Sequence, residues 1–343
     1  LAREAASSIL GSGSAPSDVS VFDLHAHPGL FPARGTPFYP GDAAGVHTVE
    51  AGVDAGLVGA FFSLVGDLRV LGPAPEGGLR AVRSFEPGEA WADYRRQIRV
   101  LRALLQRSPA ETATRVDHVP RAGPDPDGTA AFVSCEGGDV LEGRPGRLET
   151  LYDDGVRSLQ LVHYAQNGLG DLQTEPARFG GLSEVGRAVV AEANRLGVIV
   201  DVAHASHETT VDVAEASDQP LLLSHSLLKT GSRSALERRL VTPGHARVVA
   251  ETGGVVGAWP AGGVNGSLDD FVENTLRLVD LLGVEHVGLG SDMDGGPDPV
   301  LAGYDQVPRW IEGLRRGGLS DEEVALVSGG NALRLLERVV DRA

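Results

Sequence analysis

The sequence predicts a (β/α)8 barrel of the TIM type, an α/β fold, from three observations. Eight short apolar segments of β-forming composition recur along the chain. Helix-like stretches separate them, and such alternation is typical of a parallel sheet covered by helices. Six of the eight segments end abruptly in His, Glu or Asp. Because the carboxyl ends of the strands meet at one face of a parallel barrel, we expect these side chains to converge there.

The predicted strands are rich in Val, Leu, Ile and Phe, as expected for strands buried on both faces. They cover residues 19–27, 57–65, 129–136, 156–163, 198–204, 220–225, 254–259 and 286–292. Eight strands favour closure into a barrel over an open, doubly wound sheet. No GxGxxG motif follows the first strand, which argues against a dinucleotide-binding fold.

The predicted helices show apolar residues at helical spacing or a recognisable start and stop. They cover residues 90–106, 183–196, 207–216, 268–282 and 320–340. In the first of them, Tyr94, Ile98 and Leu101 belong to an apolar stripe. The second opens at Ser183, a preferred cap, and stops at Gly197. The last begins with Ser-Asp-Glu-Glu, which resembles a capping box.

No linker divides the chain, so we expect one catalytic barrel domain over residues 1–343. Residues 1–18 would be an N-terminal extension or helix. The length suits one large barrel. Stretches rich in Pro and Gly are predicted as loops, at residues 36–45, 72–78 and 122–128.

Composition and charge exclude several classes of protein. The formal net charge of −17 argues against nucleic acid as a partner, because no basic patch is present to neutralise phosphates. No apolar run reaches the roughly 18 residues that span a bilayer. Residues 1–20 lack the charged start and apolar centre of a signal peptide. We therefore expect no transmembrane segment and a cytoplasmic location. Cys135 is the only cysteine, so neither a disulfide framework nor a thiolate zinc cluster is expected.

Two histidines at the end of the first strand are the first candidates for a metal site. His25 and His27 lie two residues apart, and residues at this spacing point to the same face of a strand. Both imidazoles can therefore reach one ion, although a pair of exposed loop histidines is the plain alternative. Asp23 lies on the same face and is predicted to orient one of the imidazoles.

The other strand ends offer further ligand types. Glu136, His204 and His225 each end an apolar run, His163 does so on the preceding strand, and Asp292 ends the eighth. One buried histidine is usually a satisfied core residue, but two on consecutive strands at the same end are better explained as ligands. Together these residues can hold two divalent ions, and zinc suits such nitrogen and oxygen donors.

With these residues placed, the chain resembles the membrane (renal) dipeptidase family, the zinc dipeptidases of the amidohydrolase superfamily. The matching stretches cover roughly residues 20–340. They are FDLHAHP, CEGGDVLEG, LYDDGVRSLQLVHYAQNGLGD, the long run from GLSEVGRAVV through both histidines to LLLSHS, AETGGVVGAW, GLGSDMDG and GGNALRLLERV. The resemblance implies a metallo-dependent hydrolase barrel with two zinc ions. His25 and His27 would bind one ion, Glu136 would bridge, and His204 and His225 would bind the second.

The resemblance also implies the roles of residues around the substrate. His163 would contact the substrate carbonyl oxygen, and Asp292 would transfer the proton near the first ion. An arginine after the SHS motif would hold the substrate carboxylate. Arg239 aligns best, and Arg238 aligns equally well if the loop length differs. Lys229, the only lysine, is badly placed for the carboxylated-lysine bridge common on this fold, which leaves the bridge to Glu136.

One departure from the family pattern concerns the first strand end. The family typically has His-Asn-Asp-Leu-Pro, whereas this chain has His25-Ala26-His27-Pro28. A neutral imidazole thus replaces an anionic carboxylate as the second ligand. Metal binding should survive, but the affinity of the first ion, the pKa of its bound water and the substrate preference are open.

We therefore predict a zinc-dependent hydrolase that cleaves the peptide bond of dipeptides with a metal-bridging hydroxide. The substrate would be a small, dipeptide-like molecule. The nearest alternative is an amidohydrolase acting on another small amide, an N-acyl amino acid, a lactam or a lactone. A non-catalytic barrel that only binds a ligand is the alternative from another class. The sequence leaves the oligomeric state open, with a homodimer among the alternatives.

Overall fold

The computed structural model describes residues 19–75, 77–120, 128–296 and 298–342. The expectations for residues 1–18 and for residues 122–127 of the third predicted loop lie outside this range. The strands are β1 (Val21–Ala26), β2 (Leu57–Val65), β3 (Leu71–Pro73), β4 (Leu79–Ala81), β5 (Ala110–Ala113), β6 (Thr129–Glu136), β7 (Val156–Gln160), β8 (Ile199–Asp201), β9 (Leu222–Ser226), β10 (Val255–Ala258) and β11 (Val287–Leu289).

The α-helices alternate with these strands for most of the chain. They are α1 (Asp42–Asp54), α2 (Glu89–Leu105), α3 (Arg147–Asp153), α4 (Glu184–Leu196), α5 (His207–Ala216), α6 (Pro243–Glu251), α7 (Leu268–Leu282), α8 (Val307–Arg316), α9 (Asp321–Ala325) and α10 (Asn331–Val339).

A closed ring of parallel strands confirms the predicted barrel. The main sheet has nine strands in the order β2-β1-β11-β10-β9-β8-β7-β6-β5, and a further pairing of β2 with β6 closes it. The strand β5 pairs only with the first half of β6, so the other eight strands form the ring. Neither β5 nor the small antiparallel hairpin of β3 and β4 was predicted from the sequence. The strand β3 takes up Gly72 and Pro73, the first two residues of the loop predicted at 72–78, so that part of the prediction is wrong.

Several predicted strands end earlier than their apolar runs suggest. The strands β7, β8 and β11 each stop three residues before the polar residue that closes the run. His204 and Asp292 have φ angles of 66° and 53°, which no strand accommodates. The chain therefore leaves the sheet before these side chains, and the tertiary structure sets their direction.

The helices agree with the prediction in part. Ser183 caps α4 by accepting a hydrogen bond from the backbone N–H of Gly186, and Gly197 ends it with a φ of 69°. The helix predicted at 320–340 is interrupted by a π-helical turn at Leu326–Gly330. Gly329 lies against the start of β1, where a Cβ would come within 2.8 Å of the Ser20 carbonyl oxygen. The helix α1 begins at Asp42, inside a predicted loop, and α3, α6 and α8 were not predicted.

An apolar cluster fills the interior of the barrel, and one end of the barrel remains accessible. Phe22, Phe61 and Phe132 meet inside the ring with centroids 5.7–5.9 Å apart. Leu335 and Leu336 of α10 belong to the same buried cluster. Because α10 and the preceding π-helical turn cover the side where β1 begins, the carboxyl ends of the strands form the opposite, accessible face.

Candidate metal centre and substrate pocket

The carboxyl ends of the strands bring most of the predicted site residues together. His25 lies in β1, His225 in β9, and Glu136 is the last residue of β6. The residues that meet there, all nine-tenths or more buried, are His25, His27, Glu136, His163, His204, His225, Arg239 and Asp292. They belong to segments from six strands of the ring, so only barrel closure places them side by side.

The first group consists of His25, His27 and Glu136, whose ligand atoms lie within 4.8 Å of one another. The Nε2 atoms of His25 and His27 are 3.1 Å apart. His25 Nε2 lies 3.4 Å from Glu136 Oε1, and His27 Nε2 lies 3.5 Å from Glu136 Oε2. The two histidines therefore aim at one point, with a glutamate oxygen beside each ring.

The tautomer of His27 suits a metal ligand. Its Nδ1 is 2.8 Å from the backbone carbonyl oxygen of Ser63, which can only accept a hydrogen bond. Nδ1 therefore carries the proton, and Nε2 presents a lone pair toward the group. Metal-binding histidines are commonly oriented by such a second hydrogen bond.

The second group consists of Glu136, His204 and His225, again with ligand atoms within 4.8 Å of one another. The two Nε2 atoms are 3.1 Å apart. Glu136 Oε1 lies 3.4 Å from His204 and 3.7 Å from His225. Since the same oxygen lies 3.4 Å from His25, Glu136 stands between the two groups.

The charges at the site favour an ionised Glu136 and neutral imidazoles at His204 and His225. Burial, with nearby positive groups, holds the pKa of His204 and that of His225 well below the usual range. Burial opposes ionisation of Glu136, but neighbouring His163 and His25 hold its pKa well below the ordinary value. For His25, Glu136 outweighs burial and raises the pKa to about 9. The pocket thus stabilises positive charge next to Glu136.

The donor set fits a divalent cation. Two imidazole nitrogens 3.1 Å apart repel each other through their lone pairs unless a proton or a cation lies between them, and this pair occurs twice. Deprotonated nitrogen and oxygen donors of this kind are the usual ligands of zinc and similar ions. Each group can therefore hold a metal ion.

Asp292 lies beside the first group. Its Oδ1 is 3.5 Å from His27 Nε2, and its Oδ2 accepts a hydrogen bond of 3.3 Å from the Trp259 indole. Burial raises the pKa of Asp292, although His27 and His25 oppose the shift. Gly295 makes this contact possible, because a Cβ there would lie 2.3 Å from Asp292 Oδ1 and 2.4 Å from His27 Cδ2.

His163 is held by an aspartate that sequence reasoning missed. Asp67 is fully buried, and its Oδ1 lies 2.6 Å from His163 Nδ1. Its Oδ2 accepts hydrogen bonds from the backbone N–H groups of Tyr164 and Ala165. Burial lowers the pKa of His163, but Asp67 and Glu136 outweigh it, so the net direction is upward. Asp67 lies two residues past the apolar run of β2, and that position was the signal available in the sequence.

The two candidate arginines have different surroundings. Arg239 is 2% exposed and lines the same pocket as the histidines, whereas Arg238 is exposed and lines a separate groove. The Arg239 guanidinium donates hydrogen bonds to neutral groups, Gln173 Oε1 at 2.5 Å and His225 Nε2 at 3.3 Å. Gln173 also donates its backbone N–H to the His204 carbonyl oxygen. No pattern in the sequence singled out Gln173, which lies in a long loop after β7.

Asp23 does not have the predicted role. Its carboxylate accepts hydrogen bonds from the backbone N–H of His25, from Ser291 and from the Tyr304 hydroxyl. Asp23 thus joins β1 to the segment after β11 and braces the backbone, where the sequence suggested a partner for an imidazole ring. Lys229 is exposed and does not line the pocket of the histidines, as expected from its position.

A (β/α)8 barrel with a candidate metal centre at the carboxyl ends of its strands defines the class of this protein. The family model for membrane dipeptidase, peptidase family M19, matches residues 57–343, and the chain belongs to that family. The resemblance noted in the sequence is thereby confirmed. Together with the two residue groups, membership of a metallopeptidase family indicates that the protein depends on metal.

Several known proteins with similar sequence carry dipeptidase names. Dipeptidase verJ of Clonostachys rogersoniana is 31% identical over 257 residues, or 71% of this chain and 64% of that protein. An uncharacterized dipeptidase of Schizosaccharomyces pombe is 33% identical over 224 residues, 62% of this chain. The chain spans 54% and 64% of the lengths of the Schizosaccharomyces pombe and Clonostachys rogersoniana relatives, respectively. A Rhodobacter sphaeroides metallo peptidase, solved with a phosphinate mimic of L-Ala-D-Ala, shares the fold. Its TM-score is 0.74 at 22% identity, and the match covers 94% of this chain and 99% of that one.

Within the described residues, none of the helices has the length and apolar composition needed to cross a membrane.

Proposed function

We propose that this protein is a zinc-dependent dipeptidase that hydrolyses the peptide bond of small dipeptides. One observation carries the proposal. Two histidine pairs share Glu136 in the same pocket as Arg239, a buried guanidinium whose hydrogen-bond partners are neutral. A metal centre next to such a cation suits a substrate that has both a scissile amide and a carboxylate.

In this proposal five residues hold two zinc ions. His25 and His27 would hold one ion, His204 and His225 would hold the other, and Glu136 would be shared by both. When bound, the ions would supply a water molecule acidified to near neutral pH and Lewis acidity toward the scissile carbonyl.

The remaining residues of the pocket act on the substrate and on protons. The Asp292 carboxylate takes the proton of the nucleophile and delivers it to the leaving amine, a role that its raised pKa suits. His163 donates its Nδ1–H to Asp67 and, in its protonated form, donates its Nε2–H to the carbonyl oxygen as negative charge develops there. Arg239 pairs with the C-terminal carboxylate of the substrate, since a charge-assisted pair is strongest in such a buried place.

The comparisons and the size of the pocket support a dipeptide substrate. The Rhodobacter sphaeroides structure contains a mimic of a dipeptide, and the curated relatives are called dipeptidases. The cavity above the histidines holds about 150 Å³, which suits a short substrate with one carboxylate near the metal centre. A non-catalytic barrel has no need for Asp292 beside His27 or for the Asp67–His163 pair.

Turnover of a dipeptide panel by zinc-loaded protein tests the proposal. We expect hydrolysis that a chelator abolishes and zinc restores, and more than one equivalent of zinc by elemental analysis. Activity that persists with no bound metal would overturn the metal assignment. Absence of turnover on every dipeptide, together with turnover of a lactone or lactam, would move the protein to the alternative class.

Adjacent arginines provide a matched pair of variants for the carboxylate. We expect Arg239→Met to raise KM by roughly 10- to 150-fold. A hydrogen bond between charged groups, such as that of Arg239 with the substrate carboxylate, is worth about 1.5–3 kcal/mol, which corresponds to this factor. Arg238→Met should change KM little, because Arg238 lines another groove. A dipeptide with an amidated C-terminus should be a poor substrate for the wild type and insensitive to Arg239→Met. Equal KM values for Arg239→Met and Arg238→Met would contradict the assignment.

A further inference from the structure

One wall of the pocket is built of aliphatic side chains that remain partly open to solvent. The leucine wall, as we call it, consists of Leu30, Val65, Leu68, Leu71 and Leu79. Leu79 is 47% exposed, and Leu30, Leu68 and Leu71 are half-buried. Ligand pockets of proteins are commonly lined by apolar side chains of this kind.

The leucine wall starts on the side of the barrel opposite the strand that precedes Arg239. Leu30 follows β1 and the other four members lie at the end of β2 or beyond it, whereas Arg239 follows β9. Counted around the ring, β9 is four strands from β2 in either direction. A substrate whose carboxylate pairs with Arg239 and whose scissile carbonyl lies over the histidines must therefore direct its other end toward the leucine wall.

Two charged groups near the leucine wall are already paired. The Asp67 carboxylate accepts hydrogen bonds from His163 and from two backbone N–H groups. Arg69 forms an ion pair of 2.7 Å with Asp93. Neither group is available to a charged side chain of a substrate, and burying such a charge unpaired against leucines would be costly.

The hairpin of β3 and β4 extends the leucine wall over the mouth of the pocket. Leu71 lies on β3 and Leu79 on β4. Gly77, two residues before Leu79, lies close to the segment that carries Arg239, since a Cβ there would lie 3.3 Å from Ala235 Cβ. The hairpin thus reaches from the β2 side of the pocket toward the Arg239 side.

We infer that the acyl half of the substrate, the part that carries the scissile carbonyl, is apolar. The chemistry that fits is an aliphatic or aromatic chain, supplied by the N-terminal residue of a dipeptide or by the acyl group of an N-acyl amino acid. The inference rests on the proposed function, because it uses the carboxylate at Arg239 and the scissile bond at the histidines to orient the substrate.

A series of substrates that differ only in the acyl half tests the inference. We would measure kcat/KM for Leu-Ala, Ala-Ala, Asp-Ala, Lys-Ala and N-hexanoyl-alanine with zinc-loaded protein. Leu-Ala should exceed Ala-Ala by roughly tenfold or more, since a few methylenes in an apolar pocket discriminate to that degree. Asp-Ala and Lys-Ala should fall below Ala-Ala. The faster of Leu-Ala and N-hexanoyl-alanine shows whether the apolar chain belongs to the N-terminal residue of a dipeptide or to the acyl group of an N-acyl amino acid.

The possible failures can be told apart. If Asp-Ala or Lys-Ala is turned over as well as Leu-Ala, the inference is wrong while the proposed function stands. If neither the dipeptides nor N-hexanoyl-alanine is hydrolysed, the proposed function fails and the inference falls with it.

Two substitutions, one in the hairpin and one directly after it, test where the acyl half of the substrate binds. Leu71→Asp places a carboxylate in the leucine wall, and should lower kcat/KM for Leu-Ala by about tenfold and favour Lys-Ala. Val82→Asp is the matched control, because Val82 follows β4, is 56% exposed and does not line the pocket. Its substrate preference should stay that of the wild type. Equal preferences of Leu71→Asp and wild type, with both proteins folded by thermal melting, would place the acyl half elsewhere.

Discussion

Replacing Asp67 by asparagine should slow catalysis without removing the metal ions. Asp67 lies behind His163 and is fully buried, with Oδ1 2.6 Å from His163 Nδ1. In the Asp67→Asn variant the amide oxygen can still accept the backbone N–H groups of Tyr164 and Ala165. The amide NH2 would then face Nδ1 and force that nitrogen to act as an acceptor. The fold is kept, and what is lost is the negative charge that draws a proton toward His163.

The size of the effect follows from the change of a charged hydrogen bond into a neutral one. A hydrogen bond to a charged group is worth roughly 1.5–3 kcal/mol and a neutral one roughly 0.5–1.5 kcal/mol, so a difference of about 1–1.5 kcal/mol corresponds to roughly 5- to 13-fold in rate. Because His163 is proposed to contact the carbonyl oxygen as it becomes negative, kcat and kcat/KM should fall together, with KM nearly unchanged. The measurement is steady-state hydrolysis of a dipeptide with zinc content determined on the same samples.

Asp139→Asn provides the control for Asp67→Asn. Asp139 is a neighbouring buried carboxyl group that accepts a hydrogen bond from the Asn167 amide. Burial, together with the charge of Asp67, raises the pKa of Asp139 to about 7, so an uncharged amide is a mild replacement. We expect activity within a few-fold of wild type. If Asp67→Asn keeps wild-type kcat, or if Asp139→Asn loses as much, the positioning role of Asp67 is refuted.

Three further predictions concern residues next to the first histidine pair. Asp292→Asn keeps the shape but removes the proton acceptor, so turnover should fall by roughly 10² or more while zinc content stays near wild type; turnover within a few-fold of wild type would exclude Asp292 as the proton carrier. His27→Ala should lose one zinc ion preferentially and His27→Asp should bind two, as measured by elemental analysis; two ions retained in His27→Ala would show that His27 is not a ligand. Gly295→Ala should disturb the same ion, because its Cβ would lie 2.3 Å from Asp292 Oδ1. Gly143→Ala is its control, since Gly143 has a positive φ but nothing lies within 4 Å of its Cβ. Equal zinc content in these two variants would contradict the steric explanation.

Local patterns in the sequence were sufficient for the barrel and for the location of the candidate ligands. Each strand is recognisable by itself as a short apolar run, and a side chain at the end of a parallel strand has a known place in the fold. The candidate ligands His25, His27, Glu136, His163, His204, His225 and Asp292 could therefore be placed at one face before any contact between them was known, and the family resemblance implied which five of them hold metal. The helix boundaries at Ser183 and Gly197 were equally local, because a cap and a left-handed stop depend on neighbouring residues alone.

The tertiary structure decided what depends on residues far apart in the chain. Asp67 and His163 are 96 positions apart, and only the closure of β2 next to β6 and β7 brings the carboxylate behind the ring. Arg238 and Arg239 are adjacent residues of the same type, so the sequence does not distinguish them. The 3-10 turn at Ala235–Arg239 turns one side chain into the pocket and the other outward. The start of the leucine wall opposite the strand that precedes Arg239 likewise has no local signal, since it follows from the order of strands around a closed ring.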